Sequence, residues 1–364
     1  MKSPSSASST LYSVHIGLRM SLIQVPHPLR GIDVAFKKHK VVTTADDNRS
    51  VTVRIGDRQC VRYHVDEGSI AHSWFAPSHL KITSAVVKVS ESEFAVIVNG
   101  TLLLLWDGKE SKLEKVDGSL ELAEKAASLV KSSDDTYVVF ESGSVQTVEY
   151  IRQKNSESES GVTPIVPKGF EIYKTWVRNI DGRGFVTHHC KPKGPQSQER
   201  ETLVTGRLAL EPETGETKVV GEKQMPLDKN VVAVETSLTE DHVFTADKSG
   251  AVKRHAVNND KESVHRVAEV PDLSHMCAFD RDYLCVAAGS KVCLVNSKFG
   301  SVVADRDAEF DRSGFLSACG SRIFFRQLGG PLASATVSTA ELPRTLASMI
   351  GDSGTDGTKT ARAR

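Results

Sequence analysis

The residues that could support chemistry are few and are scattered along the sequence. His188-His189-Cys190 is the densest group of possible metal ligands. Neighbouring residues of a strand point to opposite faces, so His188 and Cys190 could share a face that His189 cannot join. Two ligands fall short of the four that a structural zinc site normally takes. We therefore interpret these residues as ordinary strand-end side chains and predict that no metal is bound.

Sequence motifs of catalysis are also missing. The chain has no glycine-rich phosphate loop, no nucleophile elbow and no zinc-protease histidine pair. The paired acids Asp46-Asp47 and Asp305-Arg306-Asp307 have no second catalytic group beside them, and we interpret them as solvated turn residues. The sequence therefore predicts a protein that is not an enzyme, with no cofactor and no small-molecule substrate.

Short basic runs are the remaining candidates for contact with a partner. The chain carries 46 basic and 46 acidic residues, and this balance argues against a surface coated by nucleic acid. A local basic patch is compatible with it. The residues that could contact a partner or RNA phosphates are Lys37, Lys38, Lys40, Lys191, Lys193 and Arg200. The alternative for each run is an ordinary solvated surface.

A strand–turn–strand pattern built around a glycine recurs along the chain. It occupies Glu93–Trp106, Asp135–Val148, Asp241–Arg254 and Asp282–Val295. Gly100 and Gly143 are separated by about 40 residues, as are Gly250 and Gly289, and this is the length of a four-stranded propeller blade. The interval from Gly143 to Gly250 is no multiple of that length, so we expect irregular loops in the middle blades.

These repeats, in a chain of 364 residues, predict an all-β fold: a WD-repeat-like β-propeller of about seven blades. We expect the propeller to span residues 11–350, between disordered tails at 1–10 and 351–364. Leu11–Ile16 is the candidate N-terminal strand that completes the last blade and so removes an exposed sheet edge. Trp106-Asp107 follows a strand, where WD repeats carry their signature dipeptide.

Three local features refine this prediction. Asn99-Gly100 predicts a tight hairpin turn, because both central residues of such a turn take positive φ. The spacing of Leu122, Ala126 and Leu129 predicts a short helix within 120–130, with an irregular loop as the alternative. The polar stretches 153–161 and 191–200 are predicted to be surface loops that meet partners.

Cysteine usage and hydropathy indicate the compartment. The six cysteines form no CxxC pair and several lie in apolar strand runs, which is typical of small core residues in a reducing compartment. No apolar run approaches the ~18 residues of a membrane span. The N-terminus lacks the apolar core of a secretory signal. We therefore expect an intracellular protein with no membrane partner.

Several segments resemble the nucleolar protein 11 family. Arg49–Ile55, His64–Ile70 and Glu93–Trp106 look like the early blades of that family, and Val286–Asn296 and Leu342–Gly351 are similar to the end of its propeller. Members are propeller-containing subunits of the transcription-coupled UTP subcomplex in the small-subunit processome. They continue into a long helical region, and any assembly role of that region is expected to lie outside this chain.

The resemblance implies a non-catalytic scaffold in the nucleus, at the nucleolus. Such a scaffold supports rRNA transcription by RNA polymerase I and maturation of small-subunit rRNA. Its partners are protein subunits of the UTP subcomplex and the processome, with pre-rRNA as a further candidate, met indirectly or through local basic loops. One alternative is a generic WD-type adaptor in another intracellular complex. A propeller enzyme would need acids or histidines on the inner strands, where mainly Val, Ala, Ile and Leu are expected.

Overall fold

We analysed a computed structural model of the chain. The structure describes residues 20–24, 41–45, 50–64, 69–107, 119–132, 135–154, 164–194, 199–257, 264–298, 300–312, 316–319, 322–328 and 332–337. The sequence predictions for the tails 1–10 and 351–364, for Lys37, Lys38 and Lys40, and for most of the loop 153–161 lie outside the described residues.

The described residues form seven antiparallel sheets. The strands of blade 1 are β2 (Val41–Ala45), β3 (Ser50–Ile55), β4 (Gln59–His64) and β5 (Ser69–Phe75). Those of blade 2 are β6 (Val87–Lys88), β7 (Glu93–Val98), β8 (Leu102–Asp107) and β9 (Leu120–Glu121). Blade 3 contains β10 (Ala126–Ser132), β11 (Asp135–Phe140) and β12 (Val145–Thr147), followed by helix α1 (Val148–Lys154).

The second half of the chain forms four more blades. Blade 4 contains β13 (Phe170–Ile180), β14 (Arg183–Pro192), β15 (Thr202–Leu210) and β16 (Thr217–Pro226). Blade 5 contains β17 (Val231–Thr236), β18 (His242–Asp247), β19 (Ala251–Ala256) and β20 (His265–Glu269). Blade 6 contains β21 (Leu273–Asp280), β22 (Tyr283–Ala288), β23 (Lys291–Asn296) and β24 (Val302–Asp307). The last sheet, blade 7, contains β25 (Leu316–Cys319), β26 (Arg322–Arg326), β27 (Leu332–Val337) and β1 (Met20–Gln24).

The blades form a closed ring, which is the β-propeller that the repeats predict. The first strand of each blade is the innermost, and β25 lies between β21 and β2, so the last blade meets the first. The N-terminal strand β1 is the outermost strand of the last blade and pairs with β27 from Met20↔Val337 to Gln24↔Ala333. The closing strand is thus at Met20–Gln24, and the prediction that Leu11–Ile16 forms it is wrong. Both segments are short mixtures of apolar and polar residues, so only the pairing with the distant strand β27 distinguishes them.

The prediction of a helix within 120–130 is also wrong. Leu120–Glu121 is the outer strand of blade 2, and the inner strand of blade 3 begins at Ala126. A bulge between Ala126 and Ser128 makes Ala127 an extra residue in the strand. Ala126 and Leu129 therefore face the same core cluster although they are three positions apart. An extra residue in a strand imitates the spacing of a helix.

The recurring glycines have one structural reason. Gly100, Gly143, Gly250 and Gly289 each lie in the turn between the second and third strand of a blade, with φ of 79°, 91°, 86° and 59°. Residues with a Cβ rarely adopt this left-handed conformation. Asn99 also has positive φ, at 53°, which confirms the predicted hairpin turn.

The apolar core lies mainly between neighbouring blades. Trp74 of blade 1 packs edge-on against Trp106 of blade 2 at a ring-centroid distance of 5.3 Å, and Phe94 lies 5.2 Å from Trp74. All three side chains are buried. Five of the six cysteines are buried, in agreement with their prediction as core residues. Because blades bury their apolar faces against each other, each boundary between two blades is a unit of stability.

Blades 3 and 4 account for the irregular interval in the repeat. In the described residues blade 3 has three strands, and α1 follows where a fourth strand would start. The Gln146 side chain pairs with the backbone of Thr217 in blade 4 through two hydrogen bonds of 3.0 Å. Blade 4 has strands of up to 11 residues. No helix of the described residues is long and apolar enough to cross a membrane.

Candidate functional site

The histidine–cysteine triplet lies on β14 and binds other parts of the protein. The Nε2–H of His188 donates to the Gly143 carbonyl of blade 3 at 3.0 Å, and its Nδ1 accepts from the Thr175 hydroxyl at 2.9 Å. Burial lowers the pKa of His188 to about 4, so the ring is neutral. His189 points away from His188, as predicted, and lies 2.6 Å from a Glu201 carboxylate oxygen. No group of three or more metal-ligating side chains occurs within the described ranges.

The predicted contact residues that the structure describes lie on one face of the propeller, which we call the upper face. It carries the loops between the second and third strand of each blade and the segments that lead into each inner strand. The predicted contact residues Lys191, Lys193 and Arg200 all lie here, at the upper end of β14 and before β15. The structure therefore places half of the predicted basic set in one region of blade 4.

Bulges recur where the inner strands leave the upper face. The extra residue is the second of three inner strands, Ala127 in β10, Val232 in β17 and Ser274 in β21, and the fourth of the longer strand β13, Tyr173. Bulges re-aim side chains and are common next to functional sites. Each bulged residue thus occupies the same place in its blade, near the boundary with the next blade.

A groove of about 380 Å³ opens at the boundary of blades 3 and 4 and extends to Thr83 and Gly100 of blade 2. Ala126 and Ala127 of blade 3 and Phe170 and Ile172 of blade 4 give it apolar walls. The groove exists partly because the bulged residue here has only a methyl side chain. Its volume is within the range of ligand pockets in proteins.

Charged residues border this groove. Lys125 and Glu141 of blade 3 form an ion pair at 2.6 Å. Glu171 and Lys193 of blade 4 complete the border. Within the described part of the chain, Lys193 has no side-chain hydrogen bond or ion pair.

The next boundary, between blades 4 and 5, has an aromatic cluster at the equivalent place. The Tyr173 ring is 63% exposed, and the Lys191 ammonium lies 3.7 Å from its centroid. The His189 ring meets Tyr173 edge-on at 5.4 Å. Glu201 lies 3.4 Å from Lys191 as well as close to His189. Lys191 is therefore a partnered cation, unlike Lys193.

The ladder between the two innermost strands explains the exposure of Lys193. In blades 3–6 the residue after the second strand donates its backbone N–H to the residue before the inner strand. In blades 2 and 7 the equivalent bond follows an isolated bridge, Ile82↔Val98 or Phe310↔Gln327. The donor–acceptor pairs are Asn99–Lys81, Glu141–Lys125, Lys193–Gly169, Lys248–Asn230, Gly289–Asp272 and Leu328–Glu309. In blade 4 the ladder continues for two further residues beyond the bulge, to Phe170↔Pro192. Lys193 consequently lies exposed on the upper face, opposite Gly169.

The inner strands also carry polar residues that the sequence reasoning missed. The Lys174 ammonium lies 4.5 Å from the Trp176 ring centroid and 3.1 Å from a carboxylate oxygen of Glu235 in blade 5. His275 stands on the inner strand of blade 6, and burial lowers its pKa. The expectation that inner strands are mainly aliphatic was therefore too simple. A Glu or Lys within a β-branched run is the signal that could have located this ion pair.

Comparison with known proteins identifies a fold and no family. No protein-family model and no curated protein matches the sequence. Among solved structures, BBS1N in complex with ARL6DN is similar with a TM-score of 0.53 and 13% identity, covering 82% of this chain and 90% of that chain. The complex of KlAtg21 with the coiled-coil of AgAtg16 is similar with a TM-score of 0.51 and 11% identity, covering 82% and 97%. At such identities the likeness shows the fold alone, and the chain is a β-propeller.

Proposed function

We propose that the chain is a non-catalytic scaffold that binds protein partners through the upper face of blades 3–5. The observation that carries this proposal is the combination of an open groove, an exposed Tyr173 and an exposed Lys193 within one region. Exposed aromatic residues beside cations are frequent at protein interfaces. A closed ring of blades holds such a surface rigid, so little ordering entropy opposes binding.

The resemblance to the nucleolar protein 11 family supports a narrower proposal. The scaffold acts in the nucleolus, within the UTP subcomplex of the small-subunit processome. There it supports rRNA transcription by RNA polymerase I and maturation of small-subunit rRNA. Segments on blades 1, 2 and 6 carry this resemblance, and Lys191, Lys193 and Arg200 are the residues available for contact with a partner or pre-rRNA.

A generic WD-type adaptor in another intracellular complex is the second candidate. Its support is that two structurally similar chains, BBS1N and KlAtg21, were each solved with a protein partner. This function uses the same upper face and differs from the first candidate in the identity of the partner and in location.

Affinity purification of the tagged full chain from nuclear extract tests both candidates. Mass spectrometry of bound proteins and sequencing of bound RNA are combined with imaging of the same tagged chain in cells. We expect nucleolar enrichment and recovery of processome subunits with pre-rRNA. Specific recovery of another complex from a chain spread through the cytosol contradicts the nucleolar role and favours the adaptor. If no protein is recovered specifically, the proposal that the chain is a scaffold is contradicted.

A further inference from the structure

We propose that the groove between blades 3 and 4 binds a short acidic segment of a protein partner that inserts one apolar side chain. This inference rests on the proposed scaffold function and specifies the chemistry of the partner. It follows from the shape of the groove and from the charges that the described residues leave unpaired.

The walls of the groove fit an apolar side chain. Ala126 is buried, and Ala127, Phe170 and Ile172 are partly buried, so they retain surface that a ligand can cover. The volume of about 380 Å³ leaves room for one large side chain and the peptide backbone beside it. Burying such a side chain contributes roughly 1.5–3 kcal/mol.

The charge around the groove favours an acidic peptide. Lys193 borders the groove, and Lys168 and Arg200 are exposed on the same end of blade 4. None of these three side chains has an ion pair within the described residues. Within the described residues, Glu141 is paired with Lys125, so Glu171 is the acid on the groove border that has no ion pair. The three cations without an ion pair among these residues therefore outnumber the one such acid.

The same sign of charge extends along one half of the upper face. The residue pairs that close the inner ladders include a lysine in each of blades 2–5, namely Lys81, Lys125, Lys193 and Lys248, of which Lys125 is neutralised by its ion pair with Glu141. The corresponding pairs of blades 6 and 7 include Asp272 and Glu309 instead. This polarity attracts an acidic partner to that half of the upper face, while the groove and Lys193 bind the segment itself.

Direct binding to defined peptides tests the inference. The full chain is titrated, by fluorescence anisotropy, into a labelled nine-residue peptide with a central phenylalanine flanked by glutamates. One control peptide has glycine in place of phenylalanine, a second has glutamine in place of glutamate, and a poly-uridine oligonucleotide of nine nucleotides is the nucleic-acid probe. We expect the first peptide to bind at least tenfold more tightly than either control peptide. Equal binding of all three peptides, or tighter binding of the oligonucleotide, overturns the inference.

Two variants locate the binding site. Ala127→Tyr introduces the side chain that the next blade carries at the equivalent bulge, and we expect it to fill the groove and weaken peptide binding about tenfold or more. Lys193→Glu leaves the groove open and reverses the charge, for an expected loss of roughly threefold to tenfold. The matched control is Lys248→Glu, at the corresponding ladder end of blade 5, with an expected change below about twofold.

The outcomes separate this inference from the proposed function. If Lys193→Glu and Lys248→Glu weaken binding equally, the peptide is bound by the overall positive charge of the upper face. The assignment of the binding site to the groove is then wrong. If circular dichroism shows that Ala127→Tyr does not fold, the comparison of peptide affinity between Lys193→Glu and Lys248→Glu still tests whether the groove is the binding site. If the peptides do not bind but the tagged chain recovers its complex from extract, the acidic-segment inference fails and the scaffold function stands.

Discussion

Two neighbouring blade boundaries, between blades 3 and 4 and between blades 4 and 5, share a backbone arrangement but carry different side chains. Each has a bulge at the start of an inner strand, with Ala127 at the first and Tyr173 at the second. The methyl group leaves a groove, whereas the tyrosine ring covers the equivalent place and gathers Lys191 and His189. The backbone of a repeat thus supplies equivalent positions, and the side chain at one position decides whether a site is open.

The two boundaries also differ in how they are held together. A neutral histidine and an amide, His188 and Gln146, join blade 4 to blade 3. The guanidinium of Arg178 joins blade 4 to blade 5, where it donates to the carbonyls of Ser237 and Glu240. Hydrogen bonds from neutral side chains and from a charged guanidinium should respond differently to substitution and to pH. This difference in stability can be measured.

The largest effect is expected from Arg178→Met at the boundary of blades 4 and 5. Arg178 is buried and also donates to the Thr187 hydroxyl at 3.3 Å. Methionine fills similar space but leaves buried carbonyl groups without donors, which lowers the free energy of unfolding by about 3 kcal/mol. Urea denaturation measures the change. Arg183→Met, at an exposed position of the same hairpin, is the control and should change stability by less than about 0.5 kcal/mol.

The second largest effect is expected from acidification, which should lower the free energy of unfolding through the boundary of blades 3 and 4. His188 has a pKa of about 4 in the folded protein, against roughly 6.5 when unfolded, so the unfolded chain binds more protons between these values. The stability due to neutral His188 is complete above about pH 6.5 and is lost as the pH falls through 4, by up to about 3 kcal/mol. Urea titrations between pH 7 and pH 4 should show a shallower decline for His188→Gln than for wild type. Parallel declines would refute this assignment.

Gln146→Leu should have an intermediate effect at the same boundary. The substitution keeps an apolar stem but removes both hydrogen bonds to the Thr217 backbone, for an expected loss of about 2 kcal/mol. Thermal unfolding is the measurement. Gln153→Leu on α1 is the control, because the Gln153 side chain is exposed and its partner Glu149 is exposed too. A loss no larger than that of the control would mean that the amide does not join the blades.

The smallest effect on stability is expected from Tyr173→Ala. The ring is mostly exposed, so its removal should cost less than about 1 kcal/mol in a urea titration. It should also free Lys191 from the ring while leaving its ion pair with Glu201 intact. A loss above about 2 kcal/mol would show that Tyr173 is part of the core at the boundary of blades 4 and 5 and not a surface residue.

Local sequence patterns predicted the fold well where partners are close in the chain. Asn99-Gly100 identified its hairpin, and the glycine spacing identified the blades, because a turn that needs positive φ constrains the residue type directly. The helix predicted around Ala126 failed because a bulge changes the apparent period of a strand. The closing strand was misplaced because its partner, β27, lies some 300 residues away along the chain.

The candidate site was predictable only in part. The basic residues Lys191, Lys193 and Arg200 could be recognised from the sequence. Which of them has a side-chain partner could not. Lys191 is partnered by Tyr173 and Glu201, whereas Lys193, two positions later, has no side-chain partner among the residues that the structure describes. Ladder register and the extension of blade 4 decide this difference.

The amino-acid sequence by itself determined the repeat, its turns and its β-propeller class, because these depend on backbone preferences and alternation within about 15 residues. Only the tertiary structure decided that Ala127 of one blade and Phe170 of the next form a groove, and that Lys193 is exposed at its border opposite Gly169. Such features arise where two blades meet, and the contacts between blades join residues whose sequence separation no local pattern encodes.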